Sequence, residues 1–136
     1  CLAGAILDTK DRFGRAVVFD AHSIRSVVPR FFEGTLPDFN FGTAAGASAD
    51  ADLAAAAFAV LDRARGYSAA DNGRFTGGYI TRHYGDPAAG AHTIQLELSQ
   101  RTYMYESHPF DYRPELAGQV QPVLREMLAT ILDWAR

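Results

Sequence analysis

Cysteine and lysine are almost absent from this chain. Cys1 is the only thiol, so no internal disulfide can form and no cysteine-based metal cluster exists. Lys10 is the only lysine, and arginine supplies the rest of the positive charge. That bias fits bidentate recognition of carboxylates by planar guanidinium groups, although a genomic compositional preference is the plainer cause for most of these arginines. Long apolar runs are missing too. The longest, Leu53 to Leu61, is rich in alanine and falls far short of the ~20 residues a membrane helix needs. A basic excess is also lacking: the formal net charge is -3 and the isoelectric point is near 5.7, which argues against a nucleic-acid partner. The sequence contains no Gly-x-Ser-x-Gly elbow, no P-loop and no dinucleotide fingerprint. With no secretory signature visible, a cytoplasmic protein with neither nucleic-acid nor membrane partners is expected.

What is present describes an ordinary globular chain. Its 136 residues are 48% hydrophobic and 21% charged, enough for one buried core. Leu2, Ala3, Ile6 and Phe13 stand at helical spacing with no N-cap before them, so the chain reads as starting inside a helix with upstream sequence missing. Gly14 closes that helix. Ala16 to Phe19 is a short continuous apolar run, the pattern of a strand buried on both faces, and Asp20-Ala21-His22-Ser23 is expected just past its carboxyl end. In open α/β sheets that edge binds ligands.

Residues 29–48 read mainly as loop, with a short strand at Phe39 to Gly42. Ser48 or Asp50 can cap a helix whose inner face carries Leu53, Ala57, Val60, Leu61 and Ala64, closed by Gly66. Tyr67 to Asp86 is polar and punctuated by glycine, and reads as a long loop. Thr93 to Ser99 alternates as a strand, with Ile94, Leu96 and Leu98 on one face and Gln95 and Glu97 on the other. A final helix from Pro114 to Ala135 carries Leu116, Val120, Val123, Leu124, Met127, Leu128 and Ile131, with Pro122 expected to kink or restart it. Helices alternating with strands predict a layered α/β fold with a mixed or mostly parallel sheet.

Three groups of residues can carry chemistry. His22 is either a metal ligand or a hydrogen-bonded histidine at a strand end, with Asp20 placed to support it from behind. Glu97 is either a solvent-facing acid or a cleft carboxylate whose burial suits it to act as a base. Asn72 to Gly85 packs asparagine, arginines, tyrosine, threonine and histidine between glycines, a composition that can wrap a small anion. His92 and His108 have no partner at ligand spacing and read as structural or solvated.

The segments Asp20-Ala21-His22-Ser23-Ile24-Arg25-Ser26, Pro37 to Thr43, Asn72-Gly73-Arg74-Phe75, Gly77 to Gly85 and Gln95 to Met104, taken in that order, resemble the N-formylglutamate deformylase (N-formylglutamate amidohydrolase) family. The resemblance runs from the first helix to the last and corresponds to the family's C-terminal half. It implies a three-layer α/β/α domain with a mixed, mostly parallel sheet, similar to zinc carboxypeptidases and aspartoacylases. All of residues 1–136 would then be the C-terminal part of one domain.

It also implies roles. His22 becomes one of three zinc ligands with Asp20 behind it, and Glu97 becomes the base that activates the zinc-bound water. Arg25, Arg74 and Arg82 are candidate clamps for a dicarboxylate substrate, with Asn72, Tyr79 and Thr81 as hydrogen-bonding neighbours. The implied reaction hydrolyses N-formyl-L-glutamate to formate and L-glutamate, a step of histidine degradation. The other two zinc ligands of the family lie upstream, in a Pro-His-x-Gly-like segment that this sequence lacks. The chain alone is therefore expected to hold zinc weakly or not at all and to be inactive, with the missing N-terminal half of the same protein as its partner. The competing readings are a related zinc amidohydrolase for another N-acyl amino acid and a non-catalytic carboxylate-binding fragment.

Overall fold

A computed structural model describes residues 1–136. The elements run α1 (Leu2–Phe13), β1 (Ala16–Ile24), β2 (Phe39–Gly42), α2 (Ala51–Asp62), β3 (Ala69–Asp71), α3 (Tyr79–Tyr84), β4 (Ala91–Ser99) and α4 (Pro114–Ala135). The four strands form one sheet in the order β1-β4-β2-β3. β1 lies parallel to β4 and β2 parallel to β3, while β2 and β4 are antiparallel. The sheet is mixed, as the alternation of elements predicts.

Directly paired residues share a sheet face, so the register sorts the side chains into two layers. Phe39 and Phe41 pair with Leu98 and Leu96, and with Ile94, Val17 and Phe19 they pack against Leu53, Ala57, Val60 and Leu61 of α2 and Val120, Met127 and Ile131 of α4. The opposite face is different in kind. Near its start, Ala16 and Ala91 pack against Ile6 of α1. Farther along it carries Thr93, Gln95 and Glu97 from β4 with Asp20 and His22 from β1, and α3 docks through the Thr93 hydroxyl, which donates to the Thr81 carbonyl at 2.7 Å. Helices on both faces give three layers.

Several local expectations need correction. β1 extends to Ile24, so Asp20, His22 and Ser23 lie within the strand and not beyond it. Nine consecutive pairings with β4 carry the strand past its apolar stretch. Nor is β1 buried on both faces: it stands at the edge of the sheet and only Ala16 is fully buried. α2 ends at Asp62, before Gly66. Asp50 caps it, its carboxylate accepting from the Asp52 N–H at 2.9 Å, whereas Ser48 is buried and donates to the Thr93 carbonyl at 2.8 Å. The polar stretch from Tyr67 to Asp86 holds two elements, β3 and α3, each too short to show periodicity in sequence. α4 runs unbroken through Pro122, which does not restart it.

Candidate active site

In the parallel ladder His22 is the direct partner of Glu97, and Asp20 of Gln95. On the other side of β4, Asn40 faces Glu97 and Gly42 faces Gln95. Two polar rows therefore cross the sheet on the face away from the main core: Asp20–Gln95–Gly42 and His22–Glu97–Asn40. The sequence reason is the alternation of β4 from Thr93 to Ser99, where odd positions are polar and even positions apolar. These rows occupy the carboxyl-terminal halves of two parallel strands, the region where α/β sheets place ligands.

A cleft of about 310 Å³ opens above them, lined by His22, Gln95 and Glu97 from the sheet and by Arg74 to Gly78 from the segment that follows β3. That segment lies directly on β2. A Cβ at Gly42 would stand 2.7 Å from the Thr76 carbonyl carbon and 2.8 Å from the Gly77 nitrogen, so only glycine allows the approach. The segment is pinned by the Ala44 N–H donating to the Thr76 carbonyl at 2.6 Å and by the Gly78 N–H donating to Gln95 Oε1 at 2.7 Å. At Gly77 the backbone takes φ 118°, and the Thr81 side chain packs beneath it.

His22 Nε2 stands 3.0 Å from Asp20 Oδ1. The carboxylate lies beside this nitrogen, and Nδ1 has no partner within the chain. Glu97 is buried at 8% exposure. Burial pushes its carboxyl above the usual glutamate range, His22 opposes that shift and Asp20 adds to it. A catalytic zinc site takes three protein ligands, and no group of three histidine, cysteine, aspartate or glutamate side chains in this chain is arranged to hold a metal ion. His22 with Asp20 behind it has the chemistry of one ligand and its support. The chain's own residues do not make a complete zinc site.

Of the residues singled out in the sequence, the fold brings His22, Glu97 and Arg74 to the cleft. Arg74 also donates through Nη2 to the Phe31 carbonyl. Asp20 stands behind His22, and the other five do not line it. Asn72, at φ 47°, accepts from the Thr43 and Ala45 N–H groups and donates to Thr43 Oγ1 and Asp71 Oδ1, which ties β2's exit to β3's. Thr81 is fully buried. Tyr79 is exposed and stacks on His83 with ring centroids 4.7 Å apart. Arg82 donates to the Gly77 carbonyl at 2.6 Å, and Arg25 is exposed beyond the end of β1.

Sequence reasoning passed over Glu106. Its carboxylate accepts from the Ser26 N–H and hydroxyl, both at 2.6 Å, and from the Arg101 N–H at 2.9 Å, clamping the exit of β1 to the exit of β4. No local pattern marks it, because Ser26 lies 80 residues away in the chain. The largest cavity, about 550 Å³, lies elsewhere, between Phe13 of α1, Val17 of β1 and the Leu128, Ile131 and Leu132 face of α4. Val17 points to the sheet face opposite Glu97, and the apolar lining offers no acid or base for catalysis.

A family model described as N-formylglutamate amidohydrolase matches residues 1–104. The chain belongs to the N-formylglutamate amidohydrolase family. This family member is 54% identical over 135 residues to the N-formylglutamate deformylase of Pseudomonas aeruginosa, covering 99% of this chain and 51% of that protein. It is also 54% identical over 125 residues to the N-formylglutamate deformylase of Pseudomonas putida, covering 92% and 47%. The chain thus spans about half the length of the curated relatives it matches. Its fold is similar to that of the crystal structure of N-formylglutamate amidohydrolase from Ralstonia eutropha JMP134, with a TM-score of 0.78, 24% identity, and coverage of 98% of this chain and 48% of that one. No helix is long and apolar enough to cross a membrane.

Proposed function

We propose that this chain carries part of the active site of a cytoplasmic zinc amidohydrolase that converts N-formyl-L-glutamate to formate and L-glutamate. The observation that carries the reading is the direct pairing of His22 with Glu97 at the mouth of the cleft, in a family member 54% identical to proteins named N-formylglutamate deformylase. In this reading His22 is one zinc ligand, Asp20 holds its ring, and the remaining ligands come from the half of the protein that lies outside this chain. The likeness to zinc carboxypeptidases and aspartoacylases belongs to the same proposal.

His22, with ligands from outside this chain, would hold the zinc, which when bound would supply Lewis-acid polarisation of the formyl group. Glu97 moves the proton. Its carboxylate accepts a proton from the attacking water, the water oxygen bonds to the formyl carbon, the carbon–nitrogen bond breaks, and Glu97 returns the proton to the departing amine. The burial that raises the Glu97 pKa brings it closer to the operating pH of such a carrier. Arg74 supplies positive charge for a substrate carboxylate at the far wall of the cleft, while Asn72, Thr81 and Arg82 hold the surrounding segments in place and Arg25 and Tyr79 stand exposed outside it.

Two features support a partner half. β1 is an edge strand with one side unpaired, and the apolar cavity beside it is bordered by exposed Phe13, Leu128 and Leu132. Formate release by the full-length, zinc-loaded protein is the test, with N-formyl- and N-acetyl-L-glutamate compared. Glu97→Gln should lower kcat by about 10²–10⁴-fold while substrate still binds. The 136-residue chain alone should turn over nothing, and robust deformylation by it would overturn the shared-site reading.

A further inference from the structure

Gln95 is a buried amide on the wall of the cleft, at 4% exposure, and it stands one polar row from the His22–Glu97 pair. A backbone N–H can only donate, so the 2.7 Å bond from the Gly78 nitrogen identifies the engaged atom of Gln95 as its oxygen. The amide nitrogen, Nε2, therefore takes the other position. It makes no hydrogen bond within the chain, and it is not among the side-chain atoms sealed from solvent without a partner. A buried amide whose donor end is reachable only through a cleft offers two N–H groups to whatever oxygen enters.

We propose that Gln95 is a substrate-binding residue that donates from Nε2 to a carboxylate oxygen of the substrate, while its Oε1 holds the Gly77–Gly78 segment in place. This rests on the amidohydrolase reading above and adds a specificity contact to it. A carboxylate, and not the reacting carbonyl, follows from position. Alternate side chains on one strand stand about 7 Å apart, so Gln95 is displaced from Glu97 by roughly the span between the amide and a carboxylate of a small amino-acid derivative. The displacement is toward Gly78, on the wall that also carries Arg74. Arg74 brings the charge, and Gln95 brings a directional neutral donor.

The two ends of the amide can be separated by substitution. Gln95→Glu retains an oxygen to accept from the Gly78 N–H but replaces the donor end with an anionic acceptor that repels a carboxylate. Gln95→Met removes both ends. In the full-length zinc-loaded protein, Gln95→Glu should raise KM for N-formyl-L-glutamate, and weaken L-glutamate binding measured by calorimetry, by about ten- to hundred-fold. Its kcat at saturation should fall by a smaller factor than KM rises; a carboxylate buried beside Asp20 lowers the melting temperature, so binding is compared at a temperature where both proteins are folded. Formate, which lacks the amino-acid carboxylates, should inhibit parent and variant equally. Parent-like KM and L-glutamate affinity in Gln95→Glu, with a defect only in Gln95→Met, would reduce Gln95 to an anchor for Gly78 and overturn the proposal. If the unaltered protein neither binds nor hydrolyses N-formyl-L-glutamate, the functional reading fails, and the Gln95 assignment fails with it.

Discussion

His92 shows how the same residue type serves two different ends in one strand neighbourhood. Nδ1 of its ring accepts from the Asp50 N–H at 3.1 Å, just ahead of α2, and Trp134 of α4 packs edge-on with centroids 4.8 Å apart. Only the neutral ring can accept that bond. Burial accordingly pushes the His92 pKa below its ordinary value of 6.5, Arg15 pushes the same way, and Asp50 opposes them. The unfolded chain thus takes up a proton at higher pH than the folded one. Stability is complete above the unfolded value and is lost as pH falls through it toward the folded pKa. A urea midpoint measured across about pH 5–8 should therefore decline on the acid side of about 6.5. His92→Asn, whose side-chain oxygen can still accept from Asp50, should remove that histidine-dependent limb; an unaltered limb would mean another group sets it.

At the scale of elements, two glycines make opposite predictions for the same substitution. Gly42, on the buried strand β2, has the Thr76–Gly77 backbone within 3 Å of where a Cβ would stand. Gly42→Ala should destabilise by about 1–3 kcal/mol and push the Arg74–Gly78 segment off the sheet, so substrate affinity should fall along with the melting temperature. Gly118 is an exposed position of α4 with nothing near it. Gly118→Ala should stabilise by roughly 0.5–1 kcal/mol and leave binding untouched. Thermal melts of the pair read both signs, and equal effects would contradict the close approach at β2.

The whole molecule is a three-layer sheet domain whose polar face is half open and whose β1 edge is unpaired. Two of the three strand interfaces are parallel, and both need crossovers through helices. The shared-site proposal predicts a difference in hydrogen exchange. In the 136-residue chain, the β1 amides that do not face β4 should exchange rapidly, and the Phe13–Leu128–Leu132 surface should bind a hydrophobic dye. In the full-length protein the same amides should be protected and the dye signal should fall. Rapid exchange along β1 in both forms would remove the support for docking at this edge.

Much of this was legible in the order of residues. Apolar periodicity marks α2 and α4, alternation marks β4 and places Gln95 and Glu97 on one face, and Gly14 ends α1 as its left-handed conformation requires. These features act over a few residues, so neighbouring side chains suffice to specify them. The motif-bearing segments also carry the family membership that residues 1–104 establish. What only the tertiary structure decided is pairing at a distance. It extended β1 through His22, set His22 beside Glu97, and laid the Arg74–Gly78 segment across Gly42 and Gln95. It also turned Asn72 inward to tie loops together and buried Thr81 beneath Gly77. Burial and register are properties of strands meeting from far apart in the chain, and no local pattern encodes which face of a loop residue will meet the sheet.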